Sequence, residues 1–433
     1  MNKQLKNSGI EWVGEVPHQW KTGYLNQYFI QIKNKNINLQ ETNLLSLSYG
    51  KIIQKDINSK EGLLPEKFDG YNIIKSGDIV LRLTDLQNDH KSLRVGWSSQ
   101  KGIITSAYIT LRRKSNEIHD KFAYYFLHSF DLSKGFYGMG SGVRQGLTYD
   151  GLKKMEFVFP LFNEQQKIVN FLDKKVLEID ILIEKTKLSI EELKKYKQAL
   201  ITEMVLNGLN TNIETKNTGV EWIGDIPNHW KLGRIKLVTS KIGSGKTPRG
   251  GASVYSNSGI LFIRSQNVYE TGLYLNEATY ISEDIDEEMK NTRVFPNDVL
   301  LNITGGSIGR NCVYPDYMET HANVNQHVCI IRCIQEKILP KYMSYFLSSN
   351  AGQTAIKTYQ TGGNREGLNF EQIGKIPIPI LSIAEQKDIV NLLDEKCSHI
   401  NGLVEQKLQL VIELEEYKKS LIYEYVTGKK EVK

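Results

Sequence analysis

Residues 163–175, NEQQKIVNFLDKK, return at 384–396 as AEQKDIVNLLDEK, displaced by 221 positions. An internal repeat has to be recognised before anything else, because it sets the architecture. A second repeated block lies upstream. NSGIEWVGEVPHQWKTGY (7–24) matches NTGVEWIGDIPNHWKLGR (217–234), aligning Trp12 with Trp222, Pro17 with Pro227 and Trp20 with Trp230. Arg144, Gly146 and Leu147 map onto Arg365, Gly367 and Leu368. Between these blocks the two copies scarcely resemble each other, so the unit reads as one frame around two different inserts.

Each downstream block runs into a long apolar seam. Taking 172, 176, 179, 183, 186, 190, 193, 197, 200 and 204 as heptad positions gives Leu, Val, Ile, Ile, Thr, Ile, Leu, Lys, Leu, Met. The positions 221 later read Leu, Cys, Ile, Val, Lys, Val, Leu, Lys, Leu, Tyr. A 3.5-residue period held this long predicts a coiled coil. Its polar breaks fall at matching places, Thr186/Lys407 and Lys197/Lys418. Gly208 and Gly428 lie where helix C-terminal glycines belong. Chain order makes the helices antiparallel if the repeats share an approximate two-fold axis.

The inserts read as mixed α/β. Strands are expected at Asp78–Leu83, Ile103–Leu111, Leu261–Arg264, Val299–Ile303 and Val328–Arg332, and short helices at Phe122–Leu127 and Tyr342–Leu347. Glycine-rich loops (135–146 and 361–367) follow. The fold class is α+β, with two α/β domains separated by two long antiparallel coiled-coil helices. The expected domains are residues 1–160, 161–208, 209–380 and 381–433.

The bulk numbers exclude some classes. The chain has 433 residues and a net charge of +6. Residues 1–160 carry 22 basic and 15 acidic side chains, and the helical segments carry no basic excess. No apolar run approaches the roughly 20 residues of a membrane span, and 1–20 has no apolar core of signal-peptide length. Four unpaired cysteines fit a reducing compartment. A cytoplasmic location is expected.

Several motifs imitate catalytic chemistry. Gly245-Lys246-Thr247 resembles the tail of a P-loop, but the first glycine would fall at Ser240 and Pro248 interrupts the helix that should follow. His321, His327, Cys329 and Cys333 lack the ligand spacing of structural zinc sites, and the cysteines read as small core residues. The acidic run Glu283–Glu288 reads as a solvated helix N-terminus. The repeated tryptophans read as a packing clasp, since a base-reading element should differ between the two halves.

Two divergent inserts alternating with two near-identical helical blocks resemble the specificity subunit (HsdS type) of type I restriction–modification systems. The second insert carries the family's phrases: GSGKTPRGG (243–251), ILFIRSQNV (260–268), VFPNDVLLNITGGSIGR (294–310), HANVNQHVCII (321–331) and GGNREGLNFEQIGKIPIPILSIAEQ (362–386). The first keeps echoes, such as SGDIVLRLTD (76–85) and VRQGLTYDGLKKMEFVFP (143–160). The resemblance implies a non-catalytic DNA-recognition subunit, in which each target-recognition domain reads one half of a bipartite site. It implies that the helices act as spacer and docking surface. The implied partners are double-stranded DNA, two modification (methyltransferase) subunits and restriction (translocase/endonuclease) subunits, with no membrane. No cofactor or metal is expected in this chain, because S-adenosylmethionine, ATP and Mg belong to the partner subunits. On the residues alone a second reading stays open, a protein–protein scaffold with two α/β heads on a helical spacer.

Base readout needs Arg, Lys, Asn or Gln, whose donors and acceptors match base edges. In the first insert the candidates are Arg82, Asn88, Lys91, Arg94 and Arg112. In the second they are Arg249, Arg264, Gln266, Asn267, Asn302, Arg310 and Asn325. In the glycine loops, where the backbone can approach closely, they are Arg144, Gln145, Asn364 and Arg365.

Overall fold

The computed structural model describes residues 4–59, 65, 67–89, 91–140, 146–210, 212–318, 320–360 and 367–432. The chain divides into two compact units. One is 1–187 with 409–433, and the other is 188–408. This division falls inside the helices. Both helices are continuous, α1 over Phe162–Asn207 and α2 over Ile383–Val426, so each unit holds one part of each. Gly208 and Gly428 follow the helices with φ of +75° and +70°, the left-handed geometry that ends a helix.

Within the first unit, Phe171 meets Tyr425 with ring centroids 4.5 Å apart. Asp180 pairs with Lys418 at 2.8 Å, and Lys187 with Glu415 at 3.4 Å. Numbers rise on one helix as they fall on the other, so the two segments are antiparallel. The seam is buried at the expected heptad spacing, at Leu172, Ile179, Ile183, Thr186 and Ile190. Three of its polar breaks have partners. Lys418 meets Asp180, and in the second unit Lys197 donates to Asn401 at 3.1 Å. Asp180 and Asn401 are themselves 221 positions apart, so the same polar contact recurs in each unit with one partner changed. The Thr186 hydroxyl donates to the Leu182 carbonyl of its own helix.

Each head is built on a four-stranded antiparallel sheet. In the first unit the spatial order is Phe29–Gln31, Ile109–Arg113, Ile79–Leu81, Val95–Trp97. In the second it is Thr239–Ser244, Val328–Cys333, Val299–Asn302, Asn311–Val313. The inserts that look unrelated in sequence therefore share one frame. The expected strand Ile103–Leu111 is two strands, Gly102–Ile104 and Ile109–Arg113, in different sheets. Polar Thr105 and Ser106, with no large apolar side chain to bury, occupy the turn that separates them. In the second unit a mixed sheet lies alongside, in which Ile260–Ile263 runs parallel to Ala322–Val324.

An ion pair between a buried aspartate and a partly exposed arginine marks the same place in both sheets. Arg112 forms a bidentate pair with Asp78, and Arg332 an equivalent one with Asp298. Both aspartates also accept a backbone N–H, from Lys75 and Phe295. Matching both carboxylate oxygens to a planar guanidinium offsets the desolvation of the charges.

The acidic helix Glu283–Glu288 does begin at a capping serine, Ser282, but it is not wholly solvated. Asp286 is buried, accepting from Arg293, His321 and Asn323. All four cysteines are buried, and burial pushes the thiols of Cys312, Cys329 and Cys333 up to about 12.

His128 gives the first unit a pH signature. Complete burial lowers its pKa to about 4, with the charge of Lys418 adding to the effect. The unfolded chain binds a proton near pH 6.5 and the folded one does not. Stability is therefore full above pH 6.5 and declines toward pH 4, by an amount on the order of 3 kcal/mol. Asp131, raised by burial to about 6, works in the opposite sense below that pH. The expected outcome is that His128→Leu gains thermal stability relative to the parent as pH falls from 7 to 4.5. A melting-temperature difference independent of pH would contradict this.

Candidate nucleic-acid interface

Strand register decides which loops meet. In the first sheet Leu81 pairs with Val95 and Ile109, so loop 82–94 and turn 105–108 leave from one end of the sheet. The chain leaves the glycine loop at the same place, where the Leu147 N–H donates to the Leu83 carbonyl. The second sheet repeats the arrangement. Leu301 pairs with Asn311 and Asn302 with Val328, so loop 303–310 and turn 325–327 emerge together. Leu368 N–H donates to the Ile303 carbonyl, and Gly367 bridges to Thr304. Ser244 pairs with Cys329, so the segment 245–249 joins the same end.

Gly245 explains the motif that imitates a P-loop. An added Cβ there would lie 1.6 Å from the Val324 carbonyl oxygen, so only glycine lets the chain cross that strand. Lys246 then donates to the Glu288 carbonyl at 3.0 Å and the Thr247 hydroxyl to the Gln326 side chain. The segment is a tight crossing held by its neighbours.

The candidates from the sequence divide into exposed and committed groups. Asn88, Lys91, Arg249, Gln266 and Arg310 are exposed at this end of their sheets or in the segments beside it. Asn88 donates to Asp85, and the Arg310 guanidinium lies 5.0 Å from the centroid of the Tyr269 ring. Arg82 is partly exposed and lies 3.6 Å from Asp89. Arg264 is partly buried, 5.8 Å from the Tyr255 ring centroid. Arg144, Gln145, Asn364 and Arg365 lie outside the described residues.

Five of the candidates have their polar groups engaged within the fold. Arg112 lies toward the other end of the sheet from the loops, locked to Asp78. Arg94 is fully buried, and its guanidinium donates to the carbonyls of Arg82, Thr84, Asp85 and Asp89. It is the internal strut of loop 82–94. Asn267 is buried, joining the Arg264 N–H to the Tyr274 carbonyl. Asn302 is buried and donates to the Ser265 carbonyl and to Ser307. Asn325, also buried, accepts from the His327 N–H and shapes the turn. An Asn or Arg can satisfy backbone groups as readily as base edges, and residue type alone does not separate the two uses.

Sequence reasoning passed over Gln326 as a reader and considered His327 only as a metal ligand. Both stand on turn 325–327, with Gln326 exposed. The signal in HANVNQHVCII was the polar stretch between two buried runs, 322–325 and 328–331, which leaves Gln326 exposed.

Asp89 supports the strut at Arg94. Hydrogen bonds from Ser92, chiefly, hold its carboxyl at about 2. Replacing Arg94 with Met leaves several buried carbonyls without donors. The expected cost is about 2–4 kcal/mol of stability. Lys91→Ala, on the exposed side of the same loop, is expected to stay within about 0.5 kcal/mol of the parent. Urea unfolding of the two variants checks both values.

The comparisons agree with this arrangement. The chain matches the family described as type I restriction modification DNA specificity domain over residues 48–192 and 227–413, one stretch reaching into each sheet-bearing insert. The MjaVIII type I restriction enzyme specificity subunit of Methanocaldococcus jannaschii is 22% identical over 423 residues, covering 96% of this chain and 94% of that one. A chain solved in work on complex assembly and conformational transition of the type I R-M system has the same fold. Its TM-score is 0.71 at 14% identity, with 96% of this chain and 99% of that chain covered. The HsdS subunit from Thermoanaerobacter tengcongensis gives a TM-score of 0.51 at 13% identity, over 96% and 98% of the two chains. With two copies of one sheet frame and a family match across most of its length, the chain belongs to the type I restriction–modification DNA specificity family.

Proposed function

We propose that each unit reads one half of a bipartite duplex DNA site through the loop end of its four-stranded sheet. The observation that carries this reading is a shared frame with unshared loops. At equivalent positions of the same sheet, turn 105–108 presents Ser106 and Ala107 where turn 325–327 presents Gln326 and His327. The neighbouring loops differ in length, 82–94 against 302–310 between paired residues. A scaffold that keeps its sheet and varies only one end suits two different sequences.

The helices serve as spacer and as the docking surface for two modification subunits, to which restriction subunits add. Exposed apolar side chains support docking. In the first unit these are Leu177, Ile181 and Leu182 on α1 with Leu410, Ile412 and Tyr417 on α2. Large apolar groups left in water along a polar helix mark surfaces that a partner covers. S-adenosylmethionine, ATP and Mg act in those partners, and the chain itself contributes recognition in the cytoplasm. Among the described residues no helix is long and apolar enough to cross a membrane.

Two outcomes are expected. Exchanging residues 25–135 for another family member's insert, chosen to retain the Lys and Tyr that meet Asp173, changes one mapped half-site only. Genome-wide mapping of methylated bases checks this, and a change in both half-sites or in neither contradicts it. Inserting one heptad after Lys187 and one after Leu408 keeps the seam in phase and lengthens each helix by about 10.5 Å. The half-site sequences should persist while the gap between them widens by roughly one to three base pairs, given 3.4 Å per base pair.

A further inference from the structure

We propose that Gln326 is a specificity-determining residue of the second unit, an amide held in place to read adenine. This rests on the DNA-recognition reading and names one residue that performs it. Two contacts hold its side chain, and a third holds the ring that it meets. The Thr247 hydroxyl donates to Gln326 Oε1, Gln326 Nε2 donates to His327 Nε2 at 3.0 Å, and His327 Nδ1 meets the Thr304 hydroxyl.

The donor inventory fixes the roles. An amide nitrogen only donates, so His327 Nε2 accepts from it. The neutral ring then carries its proton on Nδ1 and donates to Thr304 Oγ1. Each end of the Gln326 amide is thus anchored by one bond. Nε2 keeps one N–H and Oε1 keeps one lone pair, and the residue is exposed.

A neighbouring donor and acceptor on one amide match the N7 and N6 edge of adenine in the major groove. Anchoring removes the rotamer freedom that a long, flexible side chain would otherwise lose on binding. The anchors belong to the frame. Thr247 is brought within reach by the Gly245 crossing, and Thr304 stands beside the Gly367 bridge that ends the glycine loop.

The first unit supplies the contrast. Strand register places Ser106 and Ala107 where Gln326 and His327 stand, while Thr84 occupies the position of Thr304. One supporting threonine position is shared while both residues on the turn differ, as two different half-sites require.

The test uses the assembled complex of this chain with its modification subunits and a panel of duplexes carrying each base pair at every half-site position. Gln326→Ala should lose roughly ten- to a hundredfold discrimination at one position of one half-site. The other half-site and the salt dependence of binding should be unchanged, because no phosphate contact is removed. Gln326→Glu exchanges the amide donor for an acceptor, so preference at that position should move from A·T toward C·G, an outcome misfolding cannot imitate. Thr247→Val, acting through position, should blunt the same discrimination, and Thr247→Ser should restore it. An unaltered preference with Gln326→Glu overturns the proposal, as does a uniform loss across all sequences with Gln326→Ala. A parent complex without sequence-selective binding would instead overturn the DNA-recognition reading itself.

Discussion

Each head is fastened to the start of a long helix by one set of polar contacts, and the positions of the loops follow from it. In the first unit the Trp20 indole donates to Glu164 at 3.2 Å. The buried Gln165 accepts from the His119 N–H and donates to the carbonyls of Glu117 and Pro160. Asp173 accepts from Lys121 and Tyr125. The second unit repeats every contact, with Trp230 on Glu385, Gln386 on Leu339, Lys337 and Leu381, and Asp394 on Lys341 and Tyr345. Buried amides that satisfy three backbone groups at once leave little freedom, because an unmade bond in that place has no water to replace it. Losing either tryptophan would cost about 3–5 kcal/mol in packing alone.

The opposite ends of the helices close on the same clasps. The Gly428 backbone lies against Pro17 and Trp20 and the Gly208 backbone against Trp230, so a left-handed helix terminus and a tryptophan share one contact in each unit. Tyr423 donates to the Trp12 carbonyl at 3.2 Å, which brings the C-terminal turn of α2 onto the N-terminal block. Heptad burial supplies attraction along the seam without choosing a register, and the Lys418–Asp180 and Lys197–Asn401 contacts supply the choice. A charged or polar seam residue needs its partner opposite, and a slipped register would bury it unpaired.

Within each unit the sheet has an end shared by the two copies and a variable end. The Asp78–Arg112 and Asp298–Arg332 pairs sit at the shared end, where pairing of the charges supports the strand register. The variable end carries the loops, whose backbone groups are supported by residues such as Arg94 and Asn267. Rigid support beneath a changeable surface lets one architecture serve two different readings.

The repeat at 221 positions, the heptad seam with its matched polar breaks, the glycines beyond the helix ends and the tryptophan clasp were all legible in the sequence. Each depends on local periodicity or on a residue type with one dominant use. Tertiary structure alone decided that the two dissimilar inserts hold the same four-stranded sheet, because strand pairing needs only alternation and burial, which many sequences satisfy. It also decided which polar residues are spent inside. Arg94, Arg112, Asn267 and Asn302 carry the chemistry of base readers, yet strand register aims them at backbone carbonyls or a buried carboxylate. Gln326, by the same register, is left at the surface with one donor and one acceptor free.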